Sequence, residues 1–238
     1  ILQISHMNNA LKIALVSPYD YAYPGGVNSH IHELASQLTK WGHTVRIIGP
    51  CSDLQKVSDD KFIPMGRPIP IPGGGSIARV SLSIWLRPRI RKLVKNESFD
   101  VIHVHNPFSS LVTMNILAAS KAINIATFHA FGSPRLYRLG GTKIAKPYFS
   151  MLHGLIAVSN PARDFINKYF PGNYEIIPNG IHFDRYSNGI IPYPNLKDGM
   201  TNLLFLGRLE KRKGWNFSRT PIKTFFWNFD FSRRFLDR

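Results

Sequence analysis

The stretch that decides the fold is Lys12-Ile13-Ala14-Leu15-Val16-Ser17, then Pro24-Gly25-Gly26, then the run from Val27 to Leu38. The first segment is apolar on both faces, as an inner strand of a parallel sheet must be. The last places Val27, Ile31, Leu34, Leu38 and Trp41 on one helical stripe, with Gly42 to stop it. Between them, Gly25 and Gly26 leave room for backbone N–H groups to approach an anion, at the positive end of a helix dipole. The same two glycines also read as nothing more than a tight strand-to-helix connection. They do not form a dinucleotide fingerprint, because no G-x-G-x-x-G occurs, and Gly73-Gly74-Gly75 opens no helix.

Outward from this unit, strand and helix signals alternate. Strands are expected at Thr44 to Gly49, Ser76 to Leu82, Val101 to His105, Ile123 to Phe128, Gly154 to Val158 and Tyr174 to Pro178. Helices are expected from about Pro88 to Asn96, Leu111 to Ser120, Ala145 to Leu152, and after a cap at Ser159 or Asn160. Such alternation predicts an α/β fold, a Rossmann-like doubly wound parallel sheet, with ligands beyond the carboxyl ends of its strands. The Gly25-Gly26 turn, Asn106-Pro107, His129 and Ser159-Asn160 all fall at such ends. We expect a disordered N-terminus over 1–10, a main domain over 11–183 and a linker over 184–200. The first strand and loop of a second domain would occupy 201–214. Residues 215–238 form an aberrant tail whose aromatics follow neither helical nor strand period.

Composition narrows the classes. The 238 residues are 44% hydrophobic, enough for a true core. A single cysteine, Cys51, precludes an intrachain disulfide and offers no zinc spacing, which suits a reducing cytoplasm. No apolar run reaches the length of a membrane span, and Ile1 to His6 has no signal-peptide pattern, Met7 reading as a start. A net charge of +16 calls for a polyanion, an anionic membrane or phosphate-bearing ligands.

Four further groups carry possible chemistry. Arg208 and Lys213 follow a strand end and offer a fork and a point charge for a diphosphate, or simply a solvated basic turn. His129 ends a strand and is either a hydrogen-bonding group at a reacting centre or structural. His103 and His105 share one strand face, but a metal reading needs a third ligand. No acidic or Cys partner presents itself in sequence, so no metal site is expected. There is no D-x-D for a Mg²⁺-nucleotide either. Arg87, Arg89, Arg91, Lys92 and Lys95 decorate one short helix, which reads equally as a solvated face or as a helix lying on anionic lipid. That helix has no interleaved aromatics, which argues against single-stranded nucleic acid.

Taken in order, these segments resemble the retaining glycosyltransferases of family 4, of GT-B fold, and most nearly the bacterial phosphatidylinositol mannosyltransferases. The matching stretches are Ser17-Pro18-Tyr19, Pro24-Gly25-Gly26-Val27-Asn28-Ser29-His30, and Pro70-Ile71-Pro72 with Gly75 to Arg79. Asp100 to His105, Ala126 to His129, Ile156 to Ser159, Ile177 to Ile181, and Phe205 to Arg208 through Gly214 continue the series. The resemblance implies an acceptor-binding domain facing a donor-binding domain across a cleft, and metal-independent transfer from a GDP- or UDP-sugar to a lipid or glycan acceptor. It needs no cofactor beyond the donor. It assigns Gly25, Gly26 and Val27 to the donor diphosphate, His129 to the sugar, and Arg208 and Lys213 to the leaving phosphate. Tyr19, Asn28, Ser29 and Arg79 fall to the acceptor, and the basic helix from Arg87 to Lys95 to the inner face of the cell membrane.

The family's pair of glutamates for ribose and donor sugar has no counterpart after Gly214. The expectation from sequence is therefore an incomplete form, through truncation or a shifted frame, that turns over negligibly. The alternative is a non-catalytic basic module for anionic membrane or nucleic acid.

Overall fold

The computed structural model describes residues 10–73, 76–129 and 141–181, the isolated positions 183, 187 and 189, and the strands 203–206 and 224–227. Expectations for the N-terminus before residue 10, for all but positions 187 and 189 of the linker over 184–200, for the loop over 207–214 with Arg208 and Lys213, and for the tail over 215–238 apart from 224–227 lie outside the described residues. The chain divides into two units. The first, Ile1–Ile71 with Ile77–His182, holds a seven-stranded sheet. The second, Pro72–Ser76 with Phe183–Arg238, holds a two-stranded one.

The large sheet is formed by β1 (Lys12–Val16), β2 (Thr44–Gly49), β3 (Phe62–Pro64), β6 (Val101–His105), β7 (Ile123–Phe128), β8 (Gly154–Ala157) and β9 (Glu175–Ile176). The order is β3-β2-β1-β6-β7-β8-β9, with every pairing parallel. β4 (Ile69–Gly73) and β5 (Ser76–Val80) form a separate pair, whose Val80 bridges antiparallel to Tyr19. Pro64 sits where the sheet ends, on the edge strand β3, because a proline cannot donate to a ladder.

Both faces are covered, as a parallel sheet requires. Ile13 and Leu15 point to one side and join Val45, Ile47, Ile31 and Ala35 under α1 (Gly26–Lys40). Ala14 and Val16 point to the other side and join a larger cluster. That cluster is closed by α2 (Arg87–Glu97), α3 (Leu111–Ala119), α4 (Thr142–Phe149) and α5 (Asn160–Asn167). Caps fit the sequence: Ser110 Oγ accepts from the Val112 amide at the start of α3, and Ser159 Oγ from the Ala162 amide at the start of α5. Gly42, at φ 89°, ends α1 in the left-handed region where glycine is the natural residue.

Three local expectations are corrected. Trp41 does not extend the buried stripe of α1. It is the C-terminal cap, 62% exposed, because the chain has left the helix at that residue. The fourth helix starts and stops three residues early, Met151 and Leu152 bonding back to Tyr148 and Phe149 as turns. In the second unit, β10 (Leu203–Leu206) was expected, but β11 (Thr224–Trp227), paired parallel to it, lies in a stretch read as patternless.

Candidate active site at the carboxyl edge of the sheet

The strands run outward in both directions from β1 and β6, so the order reverses between these two neighbours. That switch point is where open parallel sheets leave a crevice for ligands. The residues just past β1 and β6 therefore carry the argument.

Past β1, the chain folds into a braced turn. Ser17 Oγ donates to Asn28 Oδ1 at 2.7 Å, and Asn28 Nδ2 donates to the carbonyls of Asp20 and Tyr23 at 2.8 and 3.1 Å. The buried Asp20 carboxylate accepts from the amides of Ala22 and Ser52. Asn28, expected at the acceptor, is thus an internal brace. It is buried, and its amide is already engaged on both sides.

This brace presents Gly25 and Gly26 to solvent. Gly25 caps α1 in an extended conformation open to any residue, φ −172°, and no side chain caps the helix. A Cβ built on either glycine meets nothing within 4 Å. The first turn of α1 carries no acidic residue. The fold therefore does not itself require glycine here, and the helix offers uncapped N–H donors across open space.

Past β6 and β7, imidazoles gather. His105, wholly buried, places Nδ1 2.9 Å from His129 Nε2. His103 stacks on His105 at 4.5 Å between ring centroids and bonds Thr127 Oγ1 at 2.7 Å. His30, one turn into α1, meets His105 and His129 edge-on at 5.6 and 5.2 Å. Burial holds all four rings neutral. It pulls His103 down to about 3 and His129 to about 4, each helped by the repulsion a protonated His30 would exert, and His30 and His105 downward as well. Asn106, in the left-handed region at φ 44°, accepts from the His129 amide at 2.8 Å and donates to Tyr19 Oη at 3.1 Å. One side chain thus ties the end of β7 to the loop after β1.

Of the residues predicted from sequence, Gly25, Gly26 and Val27 open α1, while His129 and Tyr19 are linked through Asn106. Ser29 is exposed on α1. Arg79 lies over the Tyr23 ring at 3.8 Å, a cation–π contact beside the same loop. Arg87, Arg89, Arg91, Lys92 and Lys95 are all exposed along α2, while Ile90 and Val94 are buried. Asn106 was placed at a strand end without a role, and His30 was quoted only within a matching stretch. No local pattern marks His30, which reads as a polar position on α1, and only the β1–β6 pairing brings it over His105.

The model of Glycosyltransferase Family 4 matches residues 24–185. The phosphatidyl-myo-inositol mannosyltransferase of Mycolicibacterium smegmatis is 33% identical over 205 residues, covering 86% of this chain and 53% of the relative. That of Mycobacterium leprae is 35% identical over 208 residues, covering 86% and 54%. The chain thus spans about half the length of the curated relatives it matches. Among solved structures, a glycosyltransferase from Rickettsia africae superposes with a TM-score of 0.52 at 20% identity, over 77% of this chain and 47% of that one. Anabaena HepE in complex with UDP and glucose superposes at 0.52 and 16% identity, over 74% and 46%. At these identities the likeness is one of fold, and the fold is that of GT-B glycosyltransferases.

Proposed function

This chain belongs to Glycosyltransferase Family 4, and on that premise we propose that its glycine turn receives the diphosphate of a nucleotide-sugar donor. The carrying observation is the open space over Gly25 and Gly26, at an uncapped helix N-terminus beside the switch point. Nothing in the fold accounts for glycine at both positions, and an approaching phosphate does.

The reaction we propose is retaining hexosyl transfer, from GDP-mannose by preference, to a lipid hydroxyl of the phosphatidylinositol class. The bond between the sugar C1 and the diphosphate oxygen breaks. The acceptor oxygen bonds C1 on the same face, and the hydroxyl proton passes to the departing diphosphate. We assign His129, whose main-chain amide is fixed by Asn106, to the donor sugar. The α1 amides stabilise the charge that develops on the leaving diphosphate, a role the resemblance also gives to Arg208 and Lys213, and the proposed chemistry draws on no metal ion and no further cofactor. The names of the mannosyltransferase relatives support a mannosyl donor and an acceptor of the phosphatidylinositol class.

We further propose that α2 docks on the cytoplasmic face of an anionic membrane. Leu82, Ile84 and Trp85, immediately before the helix, are exposed, Trp85 at 84%. An exposed tryptophan next to five exposed cations suits an interfacial helix better than a solvated face. Each basic residue near such a surface contributes about 1 kcal/mol. Among the described residues, no helix is long and apolar enough to cross a membrane.

Equilibrium binding of GDP-mannose, GDP and GMP to the 238-residue chain tests the donor reading. GDP and GDP-mannose should bind at least about tenfold more tightly than GMP, because a charge-assisted contact to the second phosphate contributes about 1.5–3 kcal/mol. Equal affinity for GMP and GDP would remove the diphosphate role.

A further inference from the structure

His30, His105 and His129 come from three separate elements: the first half of α1, the end of β6 and the residue after β7. One ring nitrogen of each lies within 4.8 Å of the other two. We propose that these three imidazoles form a binding site for a single divalent transition-metal ion of the zinc class, with one coordination position left open.

The geometry is close to what such an ion needs. Zinc–nitrogen bonds of about 2.0–2.1 Å put tetrahedral ligand nitrogens roughly 3.4 Å apart. The His105 and His129 nitrogens stand at 2.9 Å, sharing a proton where two ligands would share an ion. The trio, now within 4.8 Å, reaches that spacing if its longest separation closes by up to roughly 1.4 Å. The donor set selects the metal: three neutral nitrogens and no carboxylate suit zinc, cobalt, nickel or copper, whereas magnesium and calcium require oxygen. Imidazole ligates in its neutral form, and burial keeps all three rings in that form at neutral pH.

Two further observations point to a ligand. His105 Nε2 is buried with no hydrogen-bond partner among the described residues, whereas the His129 ring also has Asn179 beside it as a side-chain hydrogen-bond partner. Four imidazoles packed together, without a carboxylate between them, form a polar cluster that its own hydrogen bonds leave incompletely satisfied. The main chain beneath His129 is already held by Asn106, which fixes where one ligand is delivered. The sequence reading paired His103 with His105 and found no third ligand. In the structure His103 is occupied with Thr127, and the third and fourth rings arrive from α1 and β7.

The site includes His129, the residue placed at the donor sugar above. On that reading, a bound ion competes with the sugar, so zinc acts as an inhibitor and not as a cofactor.

The test uses tag-free, chelator-treated protein of the full 238 residues, titrated with Zn²⁺ by calorimetry and with Co²⁺ by visible absorption. One equivalent should bind, and Co²⁺ should give the intense visible bands of four-coordinate geometry. His30→Gln, at a half-buried ring, and His105→Ala should each weaken Zn²⁺ binding at least about tenfold. His32→Gln, an exposed histidine on the same helix, should leave it unchanged. Should His105→Ala fail to fold by circular dichroism, His30→Gln alone decides. Absence of a stoichiometric site, or equal losses in His32→Gln and His30→Gln, would overturn the proposal. Competition with GDP-mannose separates the two readings. Zinc that binds through the trio without displacing donor leaves the metal site standing and removes His129 from the sugar.

Discussion

Replacing Gly26 separates the demands of the fold from those of a ligand. Gly26 is the first residue of α1, its φ is not positive, and a Cβ there meets nothing within 4 Å. Gly26→Ala should therefore stabilise the protein by about 0.4–1 kcal/mol, because alanine restricts the unfolded chain at no cost in the folded one. At about 2–4 °C per kcal/mol for a chain of this size, the melting temperature should rise by roughly 1–4 °C. Gly26→Val fills the same space with two more methyl groups. If the amides of the first turn grip a diphosphate, losing one charge-assisted hydrogen bond costs about 1.5–3 kcal/mol. GDP affinity should then fall by roughly 10- to 100-fold in the valine variant, with a smaller loss for alanine. Differential scanning fluorimetry and calorimetric titration with GDP read the two effects on the same samples. A lowered melting temperature for Gly26→Ala would show that the backbone needs glycine after all. Unchanged GDP affinity in Gly26→Val would refute the cradle.

Other variants probe the surroundings. Asn28→Ala removes three hydrogen bonds of the brace, although the Ser17 hydroxyl keeps Tyr19 and the Asp20 carbonyl keeps the Tyr23 amide; at about 1–3 kcal/mol for a group left unsatisfied, thermal melts should show a fall of a few degrees. Acid should destabilise the fold through its histidines. Their pKa values lie below the unfolded value of 6.5, so the unfolded chain takes up protons first as pH falls. Stability is complete above about pH 6.5 and should decline from there towards pH 4, by about 1.4 kcal/mol per pH unit for each such histidine. Urea midpoints measured from pH 7.5 to 5 with chelator present check this, and His103→Asn should flatten the slope. On vesicles containing acidic phospholipid, reversing Arg89, Arg91 and Lys92 to glutamate should abolish sedimentation, and Trp85→Ala should weaken it. Binding that ignores both changes and persists in high salt would rule out α2 as the docking element.

The sheet was legible because its strands are apolar runs bounded by caps and glycines, and because parallel strands must alternate with helices. The Gly25-Gly26 turn was legible for the same reason, since it joins two well-patterned elements. The bracing role of Asn28 was not legible because it is set by Ser17, Asp20 and Tyr23, which only the folded loop brings to it. His30 was invisible because helical periodicity sorts residues into inner and outer faces and does not say what the helix end overhangs. β11 was missed because four residues are too few for a period to emerge, and its pairing with β10 is a tertiary fact.

The position of β1 also governs how the chain reaches this structure. It is synthesised before β6, so one of its two edges must wait for that strand: Lys12 meets Asp100, a separation of 88 residues. At about 5–20 residues per second, a ribosome needs roughly 4–18 s to deliver that partner. During this interval an apolar ribbon stands with an unpaired edge, open to neighbouring nascent chains. Production of this protein should therefore respond to slower growth, lower temperature and added chaperone, and substitutions that delay β6 should cost soluble yield out of proportion to their effect on the finished fold.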